Sequence, residues 1–206
     1  MKLKTFFLLL FSIFFWTLSS SSCSKDSQKT DPVFSLPPET QTGANTFGVT
    51  INGKVYIPRD PTGVNVGGPT PKGMKLLGGG VAPNDYTEIV VVDGASEVGF
   101  KLTIHLQNLF SVGNYILKES NFQDQADSVL KNHLFFKIFD KSINNYAYYG
   151  SVDNESIVTI KRLSNGIVSG SFSGKFFRFG RPLEIITITD GRFDINSFTV
   201  SAHPFP

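Results

Sequence analysis

The chain is expected to fold as a single all-β domain, an antiparallel β-sandwich or barrel of about ten strands with at most one short helix. Three observations predict it. Long segments alternate apolar and polar residues with period two, the mark of a sheet with one face in a core. Asn-Gly pairs stand at Asn52-Gly53 and Asn165-Gly166, where a tight hairpin needs positive φ at both central residues. Short apolar runs recur at hairpin spacing, with turn formers between them.

The first segment is a targeting device. Lys2 and Lys4 precede Phe6 to Leu18, an unbroken run of apolar and small residues. That run is too short to span a bilayer as a helix, which takes about 20 residues. A basic start, a short apolar stretch and the small residues Ser19 to Ser22 describe an export signal, expected over 1–22. Cys23 follows, the one cysteine in the chain. A lone cysteine there resembles the lipobox of bacterial lipoproteins, which implies that its thiol is acylated and becomes the first mature residue. The usual Leu three residues before the Cys is Ser20, with Leu18 further back. An ordinary secretory signal with a cysteine nearby is the alternative. Ser24-Lys25-Asp26 resembles the charged surface-export signals of Bacteroidota lipoproteins, so either face of the outer membrane is open.

Removal of Lys2 and Lys4 levels the 19 basic residues with the 17 acidic ones and gives no reason to expect a nucleic-acid partner. The rest is enough chain for one domain with a sizeable core. Residues 23–44 are rich in Ser, Thr, Gln, Pro and charge, and read as a lipidated flexible tether. The β-domain is expected over 45–206.

Within it, Phe47 to Pro58 forms a hairpin about Asn52-Gly53. Arg59 to Gly73 is rich in Pro and Gly and reads as a surface loop. Strands follow over Met74–Val81, Tyr86–Val92, Val98–Gln107 and Asn114–Leu117. In the third of these, Phe100, Leu102, Ile104 and Leu106 share one face, and Lys101, Thr103, His105 and Gln107 the other. Phe122, Ala126, Val129 and Leu130 carry helical spacing, so one short amphipathic helix is expected between Glu119 and Lys131. Leu134–Phe139 and Tyr146–Gly150 return to strand. Glu155 to Ile195 then reads as three consecutive antiparallel strands turning at Asn165-Gly166 and near Gly180-Arg181-Pro182. Val168, Gly170, Phe172, Gly174 and Phe176 fall on one face of the middle strand. Ser197 to Pro206 is either a final edge strand or a loose tail.

Leu36 to Gly48 (LPPETQTGANTFG), running into the Asn52-Gly53 hairpin, resembles the start of a family of uncharacterised Bacteroidota envelope lipoprotein domains. Its closing strands correspond to Ile167 to Phe172 (IVSGSF) and Gly191-Arg192-Phe193-Asp194. Val49 stands where relatives often carry a Cys. The resemblance covers most of the mature chain and implies an envelope location and an all-β fold. It implies no activity and no catalytic residue.

The chain offers little chemistry. His105, His133 and His203 share no element, and His105 is expected to be a solvated side chain rather than a metal ligand. Asp140, Ser142 and Asn144 faintly resemble the opening of a calcium loop but lack its central Gly and distal Glu, so a turn is expected. Asp190 and Asp194 flank Arg192, and an ion-pair ladder on the solvent face is expected. Gly78-Gly79-Gly80 reads as a strand bend rather than a phosphate loop. No catalytic site, metal or cofactor is expected.

The surface to test is Tyr146, Tyr148 and Tyr149, a stacking platform for a sugar or a peptide. The expected function is a non-catalytic binding or interaction module, lipid-anchored in the bacterial outer membrane and recruiting an envelope protein or glycan. Two alternatives stand behind it. One is a barrel carrying an apolar ligand, with room inside at Gly170 and Gly174; the other is a hydrolase with converging carboxylates or histidines.

Overall fold

A computed structural model describes residues 33–63, 72–79, 85–96, 98–122 and 131–206. Signal, Cys23 and most of the expected helix therefore lie outside the described residues. The strands are β1 (Thr46–Ile51), β2 (Lys54–Tyr56), β3 (Met74–Gly79), β4 (Tyr86–Asp93) and β5 (Phe100–Gln107). They continue with β6 (Gly113–Ile116), β7 (His133–Asp140), β8 (Asn145–Ser164), β9 (Ile167–Arg178) and β10 (Arg181–Asn196). No helix occurs among the described residues.

All ten strands belong to one antiparallel sheet in the order β2-β1-β10-β9-β8-β7-β5-β4-β3, with β6 pairing separately on β8. The sheet curls into a half-barrel around a single core, so the fold is one wrapped sheet and not two stacked ones. Hairpin chemistry sets the local pairing. Asn52-Gly53 and Asn165-Gly166 all have positive φ, 50° and 76° in the first turn and 54° and 73° in the second. Tyr146–Gly150 and the strand from Glu155, expected as separate, are one strand, β8. It kinks where register shifts between Ser151 and Ser156 and Asn154 takes φ 62°.

Just beyond β2, Arg59 makes an isolated parallel bridge with Asp93 at the end of β4. Arg59 N donates to Val92 O at 3.0 Å, and Gly94 N donates to Arg59 O at 2.9 Å. The Arg59 guanidinium also grips Asp93 through both carboxylate oxygens, at 2.6 and 2.7 Å. Ser197 to Pro206 is neither strand nor loose tail: a series of turns places Val200 and Phe205 in the core.

The core is dense and aromatic. Phe47, Phe100, Phe136 and Phe176 are almost wholly buried among Ile, Leu and Val. Gly170 and Gly174 leave no room inside. A Cβ on Gly170 would lie 2.2 Å from the Thr159 carbonyl oxygen and 3.0 Å from the Phe193 ring, and one on Gly174 would lie 2.3 Å from Ser156. The strand-mate ring thus fills the glycine's place, as aromatic residues do beside glycine in curved sheets.

The compact unit begins at Val33, not at Asn45. The last part of the expected tether is clasped to the sheet. Asp194, on β10, accepts hydrogen bonds from the Thr40 hydroxyl at 2.6 Å and from the amides of Thr42, Gly43 and Ala44 at 2.9, 2.8 and 3.1 Å. Asn45 adds two more bonds, accepting from Asn196 N at 2.9 Å and donating to Thr199 Oγ1 at 2.8 Å. Leu36 and Pro37 lie across Gly48, where a Cβ would meet Pro37 Cδ at 2.4 Å. The expected solvent-face ladder is therefore corrected: Asp194 is 1% exposed beneath this clasp, and only Asp190 lies near Arg192, at 3.7 Å.

Candidate functional site

The outer face of the sheet holds the candidate site. Cross-strand pairing places Phe135 of β7, Gly150 of β8, Phe177 of β9 and Ile185 of β10 in one row across it. Partners in a row point the same way, so this row looks outward while Phe136, Tyr149 and Phe176 look into the core. Gly150 leaves a gap between two phenylalanines. Phe122, from the loop after β6, fills it: a Cβ on Gly150 would sit 2.7 Å from its Cζ. Its ring meets Phe135, Phe177 and Phe179 edge-on at centroid distances of 6.3, 5.5 and 5.1 Å.

This aromatic cluster emerges into solvent towards the β9–β10 turn. Phe179 is 66% exposed, Leu183 95%, Ile185 53% and Tyr148 43%. Phe179 N donates to Tyr148 O at 2.8 Å, so these two side chains are neighbours. Behind them Arg178 reaches Glu184 at 2.7 Å and Asp140 at 3.2 Å, tying β7, β9 and β10 together under the turn. Glu184 sits below its ordinary carboxylate range because the Arg181 and Arg178 guanidinium groups donate to it.

The three tyrosines do not act alike. Tyr148 stands in the exposed patch. Tyr146 shares its face but is half-buried, edge-on to Phe139 at 5.7 Å with Lys137 Nζ 4.5 Å above its ring. Tyr149 is corrected: it is buried in the core, stacked on Phe136 at 5.4 Å. Burial raises its phenol pKa even though Arg178 lies close. Adjacent strand residues face opposite ways, so no third tyrosine was open to the platform. The exposed Phe179, Leu183 and Ile185 were missed because they flank a turn, where alternation carries little information about exposure.

A second constellation lies further along the same face. Glu88, His105 and His133 are directly opposite one another on β4, β5 and β7. His105 is corrected from solvated to buried: it is 1% exposed, and its Nδ1 lies 2.9 Å from Glu88 Oε1. Its ring stacks on Tyr86 at 5.2 Å and leans towards His133, also at 5.2 Å. His133 Nδ1 lies 3.0 Å from Ser120 Oγ, which bonds the outer loop to the sheet. All four side chains are buried, so the row stitches a polar seam across the sheet. Among the described residues no group of three or more His, Cys, Asp or Glu has metal-holding geometry. His203 lies apart, edge-on to Phe205. Asp140 Oδ1 accepts from the Ser142 amide and hydroxyl at 2.9 and 2.6 Å, the geometry of an Asx turn.

Set against protein-family models, curated proteins and solved structures, the chain matches none of them.

Proposed function

We propose that this protein is a non-catalytic interaction module, lipid-anchored at Cys23 to the bacterial outer membrane, that docks an envelope protein on its Tyr148–Phe179–Leu183–Ile185 patch. The exposed patch is the observation that supports this reading. Tyr148 of β8, Phe179 of the β9–β10 turn, and Leu183 and Ile185 of β10 are large exposed side chains on three neighbouring strands and the turn that joins two of them, and exposed apolar surface of this kind marks interaction sites. Leu183 and Ile185 are aliphatic, which favours a protein partner over a glycan, since sugars stack on flat rings. The carrier alternative loses its support, because the positions expected to leave room inside are filled by neighbouring atoms. The hydrolase alternative rests on the Ser120–His133 and Glu88–His105 pairs, which are buried rather than set in an open cleft.

The docking test uses a photo-crosslinking side chain at Leu183 in the full chain in its native envelope. A discrete protein adduct is expected at Leu183, weakened at least fivefold by Phe179→Ser, with none from a crosslinker at exposed Glu155. Equal labelling at both positions, or none at Leu183, would remove the patch as a docking site; an adduct with glycan alone would change the partner class. The anchor has its own test. Labelled fatty acid is expected to enter the wild-type chain and not Cys23→Ala, and equal labelling of both would end the lipoprotein reading.

A further inference from the structure

β10 is only half covered along one of its edges. β1 pairs with it from Gly191 to Asp194. Among the described residues no strand pairs with that same edge between Leu183 and Ile188. Register tells which backbone groups are turned to it. Phe179 N donates to Tyr148 O, so around this turn the odd-numbered residues of β9 bond to β8 and the even-numbered ones to β10. Phe176 of β9 lies opposite Ile186, which therefore bonds to β9. The amides and carbonyls of its neighbours Ile185 and Thr187 point the other way, out of the open edge.

Sheet edges are commonly guarded by lysine, proline or a bulge. Here Pro182 stands at one end of the run and a register shift between Ile188 and Gly191 at the other. Leu183 to Ile188 (LEIITI) lies between them without lysine or proline. Its one charge, Glu184, is held by Arg178 and Arg181 at 2.7 and 2.8 Å. Leu183, Ile185 and Thr187 are exposed, while Ile186 and Ile188 are buried in the core. An open edge of this kind is a template for an added strand.

The run is complementary to itself. Two antiparallel copies centred on Ile186 bring Ile185 of each opposite Thr187 of the other. Those are the residues whose backbone groups face outward, so each pair exchanges both of its hydrogen bonds. β-Branched side chains opposite one another are favourable cross-strand partners. Glu184 falls opposite Ile188, so the carboxylates of the two copies stand at opposite ends of the pairing and no like charges meet.

We infer that this edge joins two copies of the chain, whose β10 strands pair antiparallel about a two-fold axis at Ile186 and continue one sheet across it. The inference rests on the docking reading of the exposed patch and names its partner as a second copy.

The test uses two differently tagged forms of the full chain, made together in the native envelope, one with a photo-crosslinking side chain at Leu183. An adduct carrying both tags is expected. Thr187→Pro in both forms is expected to weaken it at least tenfold at an unchanged Tm, since proline on an open edge removes only an outward amide. That variant leaves Tyr148, Phe179 and Ile185 in place, so it separates edge pairing from docking on the patch. Ile185→Lys with Thr187→Lys in both forms is expected to abolish the adduct, and Ile185→Glu with Thr187→Glu in one form to restore it against the lysine form. Should Thr187→Pro unfold, this charge exchange decides. An adduct that lacks the second tag and survives Thr187→Pro overturns self-pairing and leaves the patch as the docking site of another protein. A two-tag adduct that neither variant changes would set the copies face to face and overturns it equally. No adduct at Leu183 overturns both readings.

Discussion

Asp194→Ala is expected to cost about 3 kcal/mol of stability and to lower Tm by roughly 6–12 °C. The carboxylate receives the Thr40 hydroxyl and three consecutive amides, and it is 1% exposed. Its removal strands those amides beneath the clasp, and buried donors left without an acceptor are more costly than the bonds were worth. Asp194→Asn keeps one acceptor oxygen and should lose about half as much. Thermal unfolding measures both, and wild-type Tm in Asp194→Ala would mean that the clasp contributes nothing.

The same site dictates a pH dependence. Burial alone would raise the Asp194 pKa, but the Thr40 hydroxyl and the Ala44, Gly43 and Thr42 amides outweigh it and hold the carboxyl below its usual range. A folded-state pKa below the unfolded one contributes stability that is fully present above the unfolded value. That stability is lost as pH falls through the folded value. Wild-type stability should therefore decline below about pH 4, and Asp194→Asn should flatten that decline. Asp60 keeps part of the decline, because its carboxyl is also held low: burial raises it, but the Gly73 and Phe205 amides and Lys72 more than compensate.

Gly170→Ala is the second large effect, at about 2–3 kcal/mol of destabilisation by urea unfolding. The new methyl would stand 2.2 Å from the Thr159 carbonyl oxygen, and that oxygen belongs to the backbone of β8. A side chain could rotate away; a paired strand can only shift, and β8 is paired on both sides. Gly78→Ala is the matched control. Its Cβ would meet only the Tyr86 carbonyl oxygen, at the ordinary distance of 3.6 Å, so it should be neutral or stabilising by up to about 1 kcal/mol. Equal stabilities of the two variants would contradict the close approach of β8 and β9.

The glycine pair also shows how far the chain could be read. Alternation placed Val168, Phe172 and Phe176 on the core face, where they are buried, and placed Gly170 with them. It did not say what would occupy the space a glycine leaves. Phe193 is its opposite number on β10, and that pairing depends on register. The stretches Leu36 to Gly48 and Gly191 to Asp194 stood out as motifs, yet their meaning lies in each other. One supplies the amides and the other the carboxylate, more than a hundred residues away.

His105 and Tyr149 mark the same boundary from the side of the candidate sites. His105 sits on the face of β5 opposite Leu102 and Ile104, as its position in the alternation requires, yet it is buried. Tyr149 follows Tyr148 in sequence and points the other way, into the core.

What the amino-acid order determined by itself is local. Asn-Gly pairs with positive φ placed the hairpins, and period two decided which side chains share a face, because a strand's geometry turns successive residues to opposite sides. What only the tertiary structure decided is which faces meet water. Thr40 to Ala44 covers Asp194, Phe122 covers Gly150, and the sheet's outer row of Glu88, His105 and His133 is sealed while Tyr148 and Leu183 remain open. Burial of an outer face depends on which distant segment is laid across it, and a strand's own periodicity holds no record of that segment.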